Sequence, residues 1–142
     1  MEPRISTITL GVADMTRAIR FYRDGLGFPT TVEAGAPIAL FMNGGSRLVL
    51  YPLGQLAEYI DPKLQPASGN FCGITIGHNV RTKEEVARVL ALAEEAGGKI
   101  VSPAEDKFWG GHAGIFTDLD GYYWEVAWAP MFEFDQSGGL IV

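Results

Sequence analysis

Residues 8–28 read ITLGVADMTRAIRFYRDGLGF, and residues 74–98 read ITIGHNVRTKEEVARVLALAEEAGG. Their openings, Ile8-Thr9-Leu10-Gly11 and Ile74-Thr75-Ile76-Gly77, match at an offset of 66 residues. Ile8, Leu10 and Val12 alternate with Thr7, Thr9 and Gly11, the pattern of a half-buried strand. Gly73 to His78 repeats that alternation, and a helix follows each copy. In the first, Asp14 is an N-cap, and Met15, Ala18, Ile19, Tyr22 and Leu26 recur at helical spacing over Met15 to Leu26. Phe21 sits at the margin of that stripe, and Gly27 is the stop. In the second, Thr82 and Glu85 form a capping box. Val86, Val89, Leu90 and Ala93 form the apolar stripe, and Gly97-Gly98 ends it.

Three short strands are predicted after each helix. The first set is Thr30 to Glu33, Ile38 to Met42 and Arg47 to Tyr51, with Asn43-Gly44-Gly45 as a hairpin signal. The second is Lys99 to Ser102, His112 to Thr117 and Tyr123 to Trp128, with Asp120-Gly121 as its hairpin signal. Between the copies, residues 54–70 contain Pro62, Pro66, Ser68 and Gly69 and read as a connector with one helical turn at Leu56 to Ile60. The tail after Pro130 is Gly-rich, a loose arm or a packing strand. The predicted fold class is α+β: two tandem βαβββ modules, residues 5–53 and 71–130, joined by 54–70 and followed by a tail, 131–142. A period this long marks duplication of one supersecondary unit, whereas a solenoid needs three or more. Modules of about 65 residues are marginal alone, so the 142-residue chain is expected to be a single domain with a shared core.

Composition narrows the function. Eleven basic residues stand against 17 acidic ones, a formal net charge of -6. That argues against nucleic acid, which needs clustered Lys and Arg. The densest basic segment, Arg81 to Arg88, is interrupted by Glu84 and Glu85. No apolar run approaches the ~20 residues of a membrane span, and MEPRIST has no apolar signal-peptide core. One cysteine, Cys72, excludes a disulfide framework. With no basic sequence neighbour to lower its pKa, it is expected to be a buried, inert thiol. These features predict a soluble cytoplasmic domain without membrane or nucleic-acid partners. No G-x-S-x-G, P-loop or G-x-G-x-x-G occurs.

The segment VADMTRAIRFYRDGLGF, with Asp14, Phe21-Tyr22 and Leu26-Gly27-Phe28, resembles the first module of the vicinal oxygen chelate superfamily, which includes glyoxalase I, bleomycin-resistance proteins and extradiol dioxygenases. Asp118-Leu119-Asp120-Gly121-Tyr122-Tyr123-Trp124-Glu125 resembles that superfamily's DPDG-x-x-x-E ending. The stretches GITIGHNVRTKEEV and FWGGHAGIFTDLDGYYWEVAWAP look like a bacterial glyoxalase-like subgroup without an assigned function. The resemblance covers roughly residues 5–130 and implies paired βαβββ modules whose mixed sheets line a cleft, helices outside. It also implies a homodimer.

In metal-using members, four ligands lie near the start of the first strand and in the last strand of each module. By spacing these positions are Thr7, Val49, Gly73 and Glu125. Only Glu125 is a suitable donor, so no metal cofactor is expected; a displaced site would have only His112 and Glu125. Taking Thr7 as cleft-facing, alternation adds Thr9 and Gly11, then Thr75 and Gly77 beside Gly73. Arg47, Val49 and Tyr51 follow in the first module, and Tyr123, Glu125 and Ala127 in the second. Leu48, Leu50, Trp124, Val126 and Trp128 take the opposite, core face, as does His78, expected to hydrogen-bond the next helix. Small Gly73 and Gly77 leave room.

The expected ligand-binding set is thus Thr7, Thr9, Arg47, Tyr51, Thr75, Trp109, His112, Tyr123 and Glu125, an apolar pocket with polar anchors. Trp109, before Gly110-Gly111, is either a ring on a mobile lid loop or a plug at a hairpin corner. Glu125 is either a general base or an acid satisfied by Arg47 or a tyrosine hydroxyl. The functional expectation is a protein that binds a small organic molecule, sequestering it or acting on it as a metal-independent lyase or isomerase. The alternatives are a metal-dependent lyase or dioxygenase, and a non-catalytic structural or regulatory dimer.

Overall fold

The computed structural model describes residue 1 and residues 5–43, 45–66 and 71–141. The chain divides into two compact units, Met1–Asn70 and Phe71–Val142.

In the first unit, strand β1 (Thr7–Val12) leads into helix α1 (Met15–Arg20). The Asp14 carboxylate accepts from the Arg17 amide at 2.9 Å, which caps an orphan N–H of the first turn. The expected helix to Leu26 changes pitch: Phe21–Gly25 is a π-helical turn closed by Leu26 N–H donating to Phe21 C=O at 2.9 Å. Phe21, at the start of that turn, is buried rather than marginal. Gly27 then takes φ +75, the left-handed stop. Strands β2 (Ala39–Asn43) and β3 (Ser46–Pro52) complete a sheet of order β1-β3-β2, parallel between β1 and β3. The β2–β3 hairpin pairs Asn43 with Ser46, and Gly44 of its predicted turn lies outside the described residues. Leu10, Val12, Leu48 and Leu50 are buried on one face, with Ile19 and Tyr22 in the same core and Tyr22 packing against Phe41 at 5.9 Å.

The predicted strand Thr30 to Glu33 does not form. Pro29 has no N–H to give a ladder, although its carbonyl accepts from Met42 N–H at 3.0 Å. Thr30 takes the Leu40 carbonyl with its hydroxyl, at 2.7 Å, where a strand would use an amide. The connector also differs. Leu53–Ile60 is a two-turn helix, α2, of which the single predicted turn is one part. Residues 67–70, including Ser68 and Gly69, lie outside the described residues.

The second unit runs β4 (Thr75–Asn79), α3 (Lys83–Glu95), β5 (Lys99–Asp106), β6 (His112–Thr117) and β7 (Tyr123–Trp128). Its sheet has order β4-β7-β6-β5, with β4 and β7 parallel. Glu85 accepts from Thr82 N–H at 3.2 Å in the predicted capping box. It also accepts from Arg81 N–H, and these amides lower its pKa. Val86, Leu90 and Ala93 are buried, and Phe116 stacks on Trp124 at 6.0 Å. The Asp118 carboxylate, 5% exposed, accepts from Asp120 and Tyr122 amides and builds the β6–β7 turn, with Gly121 at φ +89. The tail folds back as a Phe134–Leu140 bridge, with Arg81 over the Phe134 ring at 4.7 Å. Cys72 is exposed, contrary to expectation, because β4 starts three residues later and leaves residues 71–74 outside the sheet. Among the described residues no helix is long and apolar enough to cross a membrane.

Candidate functional site

Strand register decides which side chains share a face. Thr7 pairs with Arg47, Thr9 with Val49 and Gly11 with Tyr51. Cross-strand partners project to the same side of a sheet, so the predicted ligand-facing residues of the first unit share one face. A pocket of about 200 Å³ opens on it, lined by Thr9, Ile38, Val49, Tyr51, Leu56 and Tyr59. Thr9 and Tyr51 were expected there. Leu56 and Tyr59 were not, because they belong to α2, which the proline-containing connector concealed. The signal was present: Leu53, Leu56, Ala57 and Ile60 keep helical spacing.

Gly11 explains why α2 can sit over this face. A Cβ at Gly11 would lie 2.7 Å from Leu53 Cδ1 and 3.2 Å from Leu53 Cα. A side chain there would therefore lift the helix off β1. Arg47, on the same face, directs its guanidinium to the Met42 sulfur of the neighbouring strand.

In the second unit Thr75 pairs with Tyr123 and Gly77 with Glu125, so these also share a face. Phe71 meets Tyr123 edge-on at 5.4 Å. Glu125 is half-buried, and among the described residues its carboxylate has no hydrogen-bond or ion-pair partner within its unit. Gly73 lies before β4 with φ +78 and extends no side chain.

His112 is not with Glu125. It pairs with Trp128, while Glu125 pairs with Ile115, so the two side chains leave opposite faces of the sheet. The His112 side is the α3 side: a Cβ at Gly114, two residues on, would meet Leu90 Cδ1 of α3 at 2.5 Å. There His112 Nδ1 lies 2.7 Å from an Asp106 oxygen that also meets Lys83 Nζ at 2.6 Å. Those contacts, Lys83 foremost and then His112, hold the Asp106 carboxyl below its ordinary value. This cluster fastens the start of α3 to the β5–β6 hairpin. His78 also lies on the α3 side, paired with Val126; although its surface is exposed, packed neighbours strip part of its hydration and lower its pKa, and Glu85 partly restores it. No hydrogen bond joins it to α3 among the described residues.

Trp109 covers Gly111, where any Cβ would collide with the indole ring. Lys107 N–H to Gly111 C=O at 2.8 Å closes the corner beneath it. The ring rests against that glycine while remaining 38% exposed, and Phe108 beside it is fully exposed.

The residues at the family's four ligand positions do not fit a metal ion. Val49 and Gly73 have no side-chain donor, and Thr7 is a weak one. Among the described residues no three His, Cys, Asp or Glu side chains come close enough to hold an ion.

The family model described as the Glyoxalase/Bleomycin resistance protein/Dioxygenase superfamily matches residues 4–126. A glyoxalase-related enzyme from Fulvimarina pelagi aligns with TM-score 0.88 at 28% identity, covering 99% of this chain and 98% of that one. A glyoxalase/bleomycin resistance protein/dioxygenase from Nocardioides gives TM-score 0.74 at 19% identity, covering 100% and 89%. A hypothetical protein from S. aureus gives 0.74 at 22%, covering 91% and 95%. No curated protein matches.

Proposed function

The chain belongs to the glyoxalase/bleomycin resistance protein/dioxygenase superfamily, and from that premise we propose that it binds a small organic molecule without a metal ion. The supporting observation is the pocket on the first unit's sheet, where Thr9 and Tyr51 supply hydroxyls and Ile38, Val49 and Leu56 supply apolar walls. A few polar anchors in an apolar recess orient a ligand while burial of apolar surface holds it. The donor-poor ligand positions support the metal-free part.

A thermal-shift screen of chelator-treated protein against small organic molecules tests this. A ligand at 100 times its Kd adds about 2.7 kcal/mol, so Tm should rise, and Tyr51→Ala should abolish the rise. No shift with any compound, or a shift that requires added Zn or Fe, would overturn the proposal.

A second reading rests on Glu125. A half-buried carboxylate with no partner among the described residues of its unit is available to take a proton from a bound substrate, the role of a general base in a metal-independent lyase or isomerase. If so, Glu125→Gln removes turnover and keeps substrate affinity within twofold. Equal loss of both would exclude the base role.

A further inference from the structure

Resting on the small-molecule reading above, we infer that the first unit's pocket selects an uncharged single-ring aromatic molecule, and that Tyr59 on α2 is the selecting wall. Size comes first. An apolar cavity of about 150 Å³ holds benzene, and this pocket measures about 200 Å³. One ring with one or two small substituents fills it, whereas a fused or drug-sized molecule would extend out of the open recess into water.

Charge comes next. None of the six lining side chains is ionisable at neutral pH: one threonine, two tyrosines and three aliphatics. A carboxylate placed there would lose hydration and gain only hydroxyl dipoles, and an ammonium would gain those and at most a tyrosine face, less than the hydration it gives up. Arg47 shares the sheet face but is not part of the lining, and its guanidinium meets the Met42 sulfur. Two phenol rings in the lining favour an aromatic guest over an aliphatic one of equal volume, through edge-to-face or offset contact. The Thr9 and tyrosine hydroxyls can each pair with one polar substituent.

The wall that makes the difference is Tyr59. It is 85% exposed, so apolar burial does not account for its ring. It comes from a helix with only Ala57 buried, seated where Gly11 leaves space for Leu53. A guest in the pocket would give that ring a surface to cover.

Phenol, benzoate and benzylammonium carry the same ring with neutral, negative and positive substituents at pH 7. Each is titrated into isotope-labelled protein while the amide resonances of Thr9, Tyr51 and Leu56 are followed by NMR. Phenol is expected to shift all three, with both ions at least tenfold weaker. Tyr59→Ala should weaken phenol about fivefold, and Tyr59→Phe should restore it to within twofold. Tyr59 is exposed, so these variants should keep the native spectrum elsewhere. Either ion matching phenol at these amides would overturn the neutral-aromatic assignment and leave small-molecule binding standing. Unchanged phenol affinity in Tyr59→Ala would overturn the selecting role. No perturbation of these amides by any of the three would overturn both this inference and the pocket reading beneath it.

Discussion

Gly11 and Gly77 occupy the same position in the two copies of the repeat, 66 residues apart, yet alanine should act oppositely at each. Neither has a positive φ, so backbone strain is absent and only space differs. At Gly11 the new methyl would stand 2.7 Å from Leu53 Cδ1 and 3.2 Å from Leu53 Cα. The first contact can rotate away; the second is backbone and must yield by moving α2. Overpacking of this kind costs about 1–3 kcal/mol, and replacing a strand glycine returns about 0.5–1 kcal/mol. Gly11→Ala should therefore destabilise by about 1–2 kcal/mol. Around Gly77 nothing lies within 4 Å of the added atom, so Gly77→Ala should stabilise by about 0.5 kcal/mol. Equilibrium urea denaturation reads both, with a separation of about 2 kcal/mol in ΔG and an unchanged m-value expected. A cycle with Leu53→Ala should show a coupling above about 0.5 kcal/mol for Gly11→Ala. Equal effects of the two alanines would refute the claim that α2 sits on Gly11. So would a destabilised Gly11→Ala with no Leu53 coupling.

Three other outcomes follow from the second unit. Asp118→Ala strips two backbone amides of a buried acceptor and should cost about 2–4 kcal/mol in urea unfolding; a loss under 1 kcal/mol would mean the turn stands without it. Glu85 has a folded pKa below its ordinary 4.5, so its contribution is full above that value and is lost as pH falls through the folded pKa. Glu85→Gln should thus flatten the stability decline between pH 6 and pH 3, and an unchanged slope would contradict the capping account. Gly111→Ala must displace the Trp109 ring, so acrylamide should quench more tryptophan fluorescence in that variant than in the parent protein.

Much of this was legible in the sequence, for local reasons. Starting from the ligand positions that the family resemblance implies, period-2 alternation placed Thr7, Thr9, Arg47 and Tyr51 on one face, and the register joins them as cross-strand neighbours. Asp14 and the Thr82–Glu85 pair marked helix starts because capping is chemistry within four residues. What escaped depended on longer-range or competing effects. The π-helical turn at Phe21–Gly25 and the absent strand at Thr30 to Glu33 reflect local geometry overriding pattern. Helix α2 was obscured by Pro62 and Pro66, which follow it without interrupting it. His112 and Glu125 stand together in the expected ligand-binding set as the two available donor side chains. The Asp118 turn sets Thr117 opposite Tyr123, and stepping back from there puts His112 opposite Trp128 on the α3 side. The side of His112 was therefore readable, but only after the turn had been assigned.

The most direct test of metal-free small-molecule binding is a high-resolution crystal structure of chelator-treated protein soaked with phenol. The account predicts ring-shaped density between β3 and α2, in contact with Thr9, Val49, Tyr51 and Leu56, and no ion at Glu125. Only water in that pocket, together with a metal ion held at Glu125, would contradict it.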